Sequence, residues 1–505
     1  MRGNSNYIDS TSRVRASELR GRGWLNTGGK ELSLASLRGK IVLLDFWTFC
    51  CINCLHVLDE LREIEHEFAD VLVTVGVHSP KFENEADPVA LAAAVDRYDI
   101  THPVLDDPEL ETWQAYGARA WPTLVVIDPE GYVVAHLSGE GHGRSLAELV
   151  RELAARHEEK GTLRRGDGPY VPREKPSGAF SFPGKVAALP AEFGGGEVTY
   201  LVSDTARHRL VQVGADLETP LAVFGGGESL EKPAKGWADG AGSVARFNEP
   251  QGVLLLPEEL RQQLGYDVLV ADSVNHRLRS LNLATGEVGT VAGSGVQRLL
   301  DSGAVRVHPN FIDPEANPLE VALSSPWDLV YSRRAGAVLI AMAGTHQIFS
   351  FEPVSGRLAV FAGTGAEGLK DGAAEQSWFA QPSGIIEARD GSVWVADSET
   401  SALRQIVFDD GASDGATEPA EISVKTAVGE GLFDFGFVDG DASIARLQHC
   451  LGVAELPDGS IAIADTYNGA IRRFDPATGM LGTLARDLQE PSDILVEETA
   501  QGVQL

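Results

Sequence analysis

The chain has 505 residues, a hydrophobic content of 43% and a formal net charge of −31 at pH 7. This length predicts two or three domains, and the acidic balance argues against nucleic acids or anionic membranes as partners. No run of about 18 apolar residues is present, and the polar residues 1–20 lack the apolar core of an export signal. We therefore expect a cytoplasmic protein that begins with a flexible lead over residues 1–20.

The cysteines are few and clustered. Only four occur, and three of them, Cys50, Cys51 and Cys54, lie within five positions. This argues against a framework of structural disulfides and favours redox or metal chemistry at one place. A zinc site needs four ligands, and the sequence offers no second Cys-x-x-Cys or close Cys/His pair to supply them. We therefore expect a redox-active pair, with no metal and no further cofactor.

The first domain is predicted from alternating strand and helix patterns. The apolar run 41–44 indicates a buried strand, and the apolar face of residues 55–68 indicates a helix that begins at the cysteines. At a helix start, unpaired N–H groups and the positive end of the helix dipole stabilise a thiolate, here at Cys51. Cys54 lies one turn further in and can close a disulfide with it.

The elements that follow keep the same order. They are a strand at 71–77, a helix at 88–98, a strand at 124–127, its hairpin partner at 132–137 and a closing helix at 145–157. Strands that alternate with helices are typical of an α/β domain, which we assign to residues 21–160. Residues 161–178 are rich in Gly, Pro, Arg and Lys without periodicity, as in an exposed linker.

The stretch Asp45-Phe46-Trp47 followed by Cys51 and Cys54 resembles the active site of the thioredoxin superfamily. The resemblance implies that Cys51 attacks a substrate disulfide, that Cys54 resolves the mixed disulfide, and that Asp45 moves the proton of the second cysteine. The alternative for Asp45 is a capping or surface carboxylate. Cys50 and the Ile-Asn pair between the cysteines depart from the usual pattern and leave the redox potential open.

A second mark of that superfamily is a cis-proline loop that faces the disulfide. Trp121-Pro122-Thr123 stands at the expected place before an apolar strand, and an X-Pro bond adopts the cis form at little cost. The resemblance implies that Pro122 belongs to the catalytic site, with Trp47, Trp121 and Thr123 in contact with substrate. Cys50 is either an accessory thiol or, as we favour, a small buried residue.

The remainder of the chain is an internal repeat. A strand that ends in an aspartate and a turn recurs with Asp204, Asp272, Asp397 and Asp465, and 339–342 is a degenerate fifth copy. Each copy follows a segment that begins with proline, as at Pro250, Pro326, Pro382 and Pro491. Short strands in units of about 40 to 75 residues indicate the blades of a β-propeller.

These repeats resemble NHL repeats, and the whole arrangement resembles the NHL-repeat-containing protein 2 family. The family implies an α/β thioredoxin-like domain followed by an all-β, six-bladed propeller. We assign the propeller to residues 179–505, with five blades and a sixth that begins at Pro491 and is incomplete in this chain. How the ring closes stays open here.

The recurring polar residues of the propeller favour a structural role. One aspartate position repeated in blade after blade is explained by a side chain that binds turn amides, better than by a metal or an enzyme site in the channel. His208, His276 and His346 recur in the same way and are interpreted as turn or interblade residues. Cys450 is interpreted as a residue of the hydrophobic core of a blade.

Two functions fit these observations. The first is a thiol-disulfide oxidoreductase whose propeller positions protein clients, or a partner protein on its face, against Cys51. The second is a redox-inactive scaffold in which the propeller is the working surface. Hydrolase or lyase chemistry in the propeller channel is a weaker third hypothesis.

Overall fold

The computed structural model describes residues 14–174, 178–226, 234–299, 311–409, 421–499 and 502–505. The chain divides into two compact units, Met1–Ser177 and Gly178–Leu505. The first unit is an α/β domain and the second consists almost entirely of β-strands. Each unit is described by itself.

The first unit has a single six-stranded sheet in the order β1-β4-β3-β2-β5-β6. The central strands β2, β3 and β4 run parallel, β5 runs antiparallel to β2, and β6 in turn runs antiparallel to β5. The elements are β1 (Gly23–Leu25), β2 (Ile41–Trp47), α1 (Ile52–Glu67), β3 (Leu72–His78), α2 (Pro88–Arg97), β4 (Val104–Asp106), α3 (Glu111–Ala115), β5 (Thr123–Ile127), β6 (Val133–Ser138) and α4 (Gly143–Glu159). This is the predicted thioredoxin-like fold.

The strand that leads to the cysteines is buried on both faces. All seven residues of β2 are buried, which explains its continuous apolar sequence. One face packs with α1 and α4 through Val57, Leu61 and Leu153. The other face packs with Trp113 and with Leu19. The end of β2 is therefore fixed by two hydrophobic clusters, and this fixes the position of the loop that carries the cysteines.

The predicted flexible lead and the predicted exposed linker both contain residues that pack on the domain. Residues 1–13 of the predicted flexible lead lie outside the described residues, but Ala16 and Leu19 are buried in the core of the domain. In the predicted linker, Leu163 packs on the second hydrophobic cluster, and the Val171 N–H donates to the Asn26 carbonyl at 2.9 Å. The apolar side chains in both segments anchor them to the domain.

The second unit contains five blades of antiparallel strands. Blade 1 has β7 (Val186–Leu189), β8 (Thr199–Asp204), β9 (Arg209–Val213) and β10 (Pro220–Gly225). Blade 2 has β11 (Gly240–Ala241), β12 (Pro250–Leu255), β13 (Val268–Asp272), β14 (Arg277–Leu281) and β15 (Glu287–Ala292), with α5 (Glu258–Leu264) after β12. Blade 3 has β16 (Pro326–Ser332), β17 (Ala337–Met342), β18 (Gln347–Glu352) and β19 (Arg357–Ala362).

Blades 4 and 5 repeat this plan. Blade 4 has β20 (Gly372–Ala373), β21 (Pro382–Glu387), β22 (Val393–Asp397), β23 (Ala402–Asp409) and β24 (Glu421–Val428). Blade 5 has β25 (Gly440–Asp441), β26 (Gly452–Glu455), β27 (Ile461–Asp465), β28 (Ala470–Asp475) and β29 (Met480–Ala485). A short hairpin, β30 (Glu497–Thr499) and β31 (Gly502–Gln504), follows. The five predicted copies are thus the five blades.

An approach segment of four residues introduces each blade. Its first residue has a positive φ between 45° and 61° in all six copies, and five of the six continue with proline. The copies are 182–185, 249–252, 325–328, 381–384, 449–452 and 490–493. Six approach segments for five complete blades mean that a sixth position in the ring is occupied by residues 490–493.

Residues 490–493 are held in the sixth position by hydrogen bonds equivalent to those that join the other blades. The Thr466 hydroxyl donates to the Pro491 carbonyl at 2.8 Å, as Thr205 does to Pro250. The Asp493 carboxylate accepts the N–H of Val186 at 3.0 Å and so reaches blade 1. Leu495 packs on blade 1, whereas Ile494 and Val496 pack on blade 5. The ring therefore closes through residues 490–496, which lie between blade 5 and blade 1.

The recurring aspartates bind backbone amides, as predicted. Each carboxylate accepts a backbone N–H from the residue just before the approach segment of its own blade. In blade 2, for example, the Asn248 N–H donates to Asp272 at 2.8 Å. In the degenerate copy the Met342 sulfur takes this role and accepts the Ser324 N–H at 3.4 Å. The recurring histidines link blades: Nδ1 of His276 accepts the Ser325 N–H at 3.0 Å. These residues are structural.

Candidate functional site in the thioredoxin-like domain

The two cysteines lie at the N-terminus of α1. Cys51 is the N-cap residue of this helix and is partly exposed, and its Sγ lies 3.9 Å from the Trp121 carbonyl oxygen. Cys54 lies one turn further along and is completely buried, and its N–H donates to the Cys51 carbonyl at 3.0 Å. One thiol thus faces solvent beside the proline loop, and the other lies behind it.

The buried position of Cys54 makes its thiol difficult to deprotonate. Burial raises the pKa of the Cys54 thiol well above its usual value, and the hydrogen bond and charge of Cys51 raise it further. The negative charge of Asp45 acts in the same direction. A thiol in this environment needs a base nearby before it can act as a nucleophile.

A buried carboxyl group, that of Asp45, lies in the strand that leads to the cysteines. It lies in β2 between Gly76 of β3 and Leu124 of β5, with no exposed surface. Neither carboxylate oxygen has a hydrogen-bond partner among the described residues. Burial raises the pKa of Asp45 to about 7, and Glu65 adds to this, whereas His102 opposes it. A carboxyl group that titrates near neutral pH can both accept and return a proton.

The proline loop has the expected backbone. The Trp121–Pro122 peptide bond is cis, and Pro122 is buried. Trp121 is partly exposed, stacks on Trp113 with ring centroids 4.4 Å apart, and donates from Nε1 to the Ser79 carbonyl at 2.8 Å. Of the residues assigned to substrate contact, Trp121 is therefore the one with surface beside Cys51.

The structure places three other predicted site residues in the interior. Trp47 and Thr123 have no exposed surface, because both faces of the sheet are covered at this point. The Thr123 hydroxyl donates to the Ala120 carbonyl at 2.7 Å, within the loop. Cys50 is 2% exposed, in keeping with a small buried residue. Neither Trp47 nor Thr123 presents a side chain to a substrate in this structure.

Two features of the site escape sequence reasoning. Glu85, in a short 3₁₀ turn between β3 and α2, is completely buried and accepts the N–H of Cys50 at 2.9 Å and that of Lys81 at 2.8 Å. Glu85 thereby holds the loop one residue before Cys51. The second feature is a buried pair, His102 and Glu65, whose Nδ1 and Oε1 atoms lie 2.8 Å apart. Neither residue belongs to a periodic pattern that would have marked it.

One group of side chains in the described part of the chain has the spacing of metal ligands. Asp128, Glu130 and His157 bring one donor atom each within 4.8 Å of one another. These groups already have protein partners, because Lys160 pairs with Glu130, and Nδ1 of His157 lies 2.7 Å from the Thr162 hydroxyl. Neither cysteine of the pair belongs to this group.

None of the helices in the described ranges is long and apolar enough to span a membrane. The longest, α4, has 17 residues and carries charged side chains along much of its length.

Comparison with known proteins agrees with this architecture. A thioredoxin-like family model matches residues 39–133. NHL repeat-containing protein 2 of Homo sapiens is 35% identical over 495 residues, which are 92% of this chain and 62% of that protein. Protein SUPPRESSOR OF QUENCHING 1, chloroplastic, of Arabidopsis thaliana is 36% identical over 473 residues, which are 92% of this chain and 41% of that protein. The chain thus spans less than two thirds of either relative.

A shorter relative aligns with the first domain alone. The thiol-disulfide oxidoreductase YkuV of Bacillus subtilis is 29% identical over 126 residues, which are 25% of this chain and 82% of that protein. Its alignment and the family model both support a redox type of function for the thioredoxin-like domain. Over nearly its whole length, the chain is a homologue of NHL repeat-containing protein 2 that joins a thioredoxin-like domain to a β-propeller.

Proposed function

We propose that the protein is a thiol-disulfide oxidoreductase in which Cys51 is the nucleophile and Cys54 the resolving thiol. The observation that carries this proposal is the arrangement of one partly exposed thiol at a helix N-terminus, a buried thiol one turn behind it, and a buried carboxylate below. The name of the Bacillus subtilis relative, a thiol-disulfide oxidoreductase, supports the same chemistry.

The reaction follows from these positions. The Cys51 thiolate attacks a substrate disulfide, forms a mixed disulfide and releases one substrate thiolate. Cys54 then loses its proton to Asp45 and attacks the Cys51 sulfur. The Cys51–Cys54 bond forms, the bond to the substrate breaks, and the second substrate thiolate leaves. The substrate disulfide is reduced, and the enzyme dithiol is oxidised without a further cofactor.

We further propose that the propeller positions protein clients or a partner protein, and that the protein works in the cytoplasm. The low cysteine content and the clustering of three cysteines support a reducing compartment. Protein partners are supported by large apolar side chains on the propeller surface. Phe433 is 72% exposed, Ile444 is 59% exposed and Trp237 is 53% exposed.

The activity is tested with the substitution Cys51→Ser. We expect it to abolish reduction of a test disulfide by the dithiol form of the full chain. Cys450→Ser is the matched control, because Cys450 is a buried propeller thiol that takes no part in the reaction. Equal turnover by wild type and Cys51→Ser would contradict the proposal.

The alternative is a redox-inactive scaffold in which the propeller is the working surface. The exposed apolar side chains of the propeller and the unusual residues around the cysteine pair favour it. It predicts that a partner, once identified, is captured equally well by wild type and by the Cys51→Ser, Cys54→Ser double variant. Loss of capture in the double variant would contradict the scaffold function.

A further inference from the structure

A buried imidazole lies on the same face of the sheet as the side chain of Asp45. Asp45 and Gly76 are register partners on the adjacent parallel strands β2 and β3, so their side-chain positions lie on the same face of the sheet. A Cβ atom on Gly76 would lie 3.0 Å from Nε2 of His102 and 2.9 Å from Nε1 of Trp47. The imidazole therefore fills the space beside Asp45 that the missing Gly76 side chain leaves open.

The orientation of this imidazole is fixed from its other side. Nδ1 of His102 lies 2.8 Å from Glu65 Oε1, and the Glu65 side chain is 20% exposed. Nε2 of His102, in contrast, has no hydrogen-bond partner among the described residues. The ring is 8% exposed, so Nε2 is directed into the interior where Asp45 also lacks a partner. A buried imidazole nitrogen and a buried carboxylate, both unsatisfied, are costly unless they exchange a proton or share it.

We propose that His102, held by Glu65, is the proton partner of Asp45 in the resolving step. This rests on the proposed function, in which Asp45 takes the proton of Cys54. The proton passes from the Cys54 sulfur to Asp45 and, through a bridging water, from Asp45 to Nε2 of His102, while Nδ1–H of the ring donates to Glu65. The imidazolium and the Glu65 carboxylate then form an ion pair. His102 and Glu65 are positioning residues, because they act on the reaction through Asp45.

The charges around Asp45 determine the expected effect of removing the imidazole. The groups that act on it are Cys54 and Glu65 of α1 and His102 before β4, and Arg62 acts in turn on Glu65. His102 is the one that favours the ionised carboxylate. Without it, Asp45 remains protonated to higher pH and cannot receive the proton of Cys54. The resolving step then requires a higher pH.

The test follows the resolving step directly. The dithiol form of the full chain, carrying Cys50→Ser and Cys450→Ser so that two thiols remain, is mixed with Ellman's reagent. The first thionitrobenzoate is released by Cys51 and the second by the attack of Cys54. We expect His102→Gln to move the midpoint of the pH profile of the second release upward by about one unit, which makes the release about tenfold slower on the acidic side. His157→Gln, at a buried histidine without contact to the site, is the matched control and is expected to leave the profile unchanged.

A second measurement does not depend on the cysteine chemistry. In the proposed arrangement Nε2 of His102 shares a proton with Asp45, so we expect Asp45→Asn to change the ¹⁵N chemical shift of Nε2 in His102. Side-chain ¹⁵N spectra of the imidazoles in wild type and Asp45→Asn report this. An unchanged ¹⁵N chemical shift of His102 Nε2, or an unchanged release profile in a folded His102→Gln protein, would overturn the proposal. Failure of the wild type to release a second thionitrobenzoate would instead refute the proposed function.

Discussion

The carboxyl group of Asp45 makes the stability of the thioredoxin-like domain depend on pH in an unusual direction. Burial raises the pKa of Asp45 to about 7, whereas an aspartate in an unfolded chain has a pKa of about 3.9. The folded state therefore holds a proton that the unfolded state releases. The contribution of Asp45 to stability is fully present below about pH 4 and is lost as the pH rises to about 7.

The size of this effect follows from the shift. Each pKa unit corresponds to about 1.4 kcal/mol, so the raised pKa of folded Asp45 lowers the unfolding free energy by about 4 kcal/mol at pH 8 and by about 1.5 kcal/mol at pH 5, relative to acidic pH. Asp45→Asn removes the titration and keeps the shape of the side chain. From pH 5 to pH 8, we therefore expect the unfolding free energy of the variant to rise by about 3 kcal/mol relative to that of wild type.

Hydrogen exchange measured by mass spectrometry on the β2 peptide reports the unfolding free energy of this domain within the full chain. The ratio of the protection factor of Asp45→Asn to that of wild type is therefore expected to be about a hundredfold larger at pH 8 than at pH 5. Asp59→Asn, at an exposed carboxylate on α1, is the matched control. A difference between wild type and Asp45→Asn that does not change with pH would refute this reasoning.

Three further substitutions test contacts inside each of the two units. Arg279→Met leaves the buried Asp272 carboxylate without its cation at 2.7 Å and should destabilise blade 2 by about 3 to 5 kcal/mol, measured by hydrogen exchange of β13. Asp493→Ala removes an acceptor at the ring closure and should lower protection of β7 by about 1 to 3 kcal/mol, with unchanged exchange counting against the closure. Gly76→Ala places a methyl group 2.9 Å from Trp47 Nε1 and should cost about 1 to 3 kcal/mol in β3.

The local patterns of the first domain predict its fold well. A continuous apolar run, a helix start and a proline loop are short-range signals, and each is found where the sequence indicates it. The burial of Asp45 follows from its place within the buried strand β2. The burial of Trp47 and Thr123 does not follow in this way, because it depends on the elements that cover the sheet.

Contacts between distant parts of the chain are harder to predict. Glu65 and His102 are 37 positions apart, and Glu85 is 35 positions from Cys50. Single polar residues in a helix, a turn or a loop carry no periodic signal that distinguishes a buried pair from a solvated surface. These residues become recognisable as part of the site only when the fold brings them to the cysteine loop.

The propeller offers a signal that sequence reasoning did not use. Its aspartates were correctly interpreted as structural, but each also pairs with a buried arginine. The spacing is seven residues in three blades, as in Asp272 and Arg279, Asp397 and Arg404, and Asp465 and Arg472. The same arginines reach a second aspartate in the Asp-Gly segments, as Arg472 reaches Asp439 at 2.6 Å. Recurrence at a fixed spacing could have revealed this network.

The most direct test of the proposed redox function is the reduction potential of the Cys51–Cys54 pair. The full chain is equilibrated in dithiothreitol or glutathione redox buffers, and the free thiols are trapped and counted. We expect one two-electron transition that disappears in Cys54→Ser, with a value near about −270 mV for a reductase and well above about −200 mV for an oxidant or isomerase. Absence of any transition in the wild type would contradict the oxidoreductase function and favour the propeller scaffold.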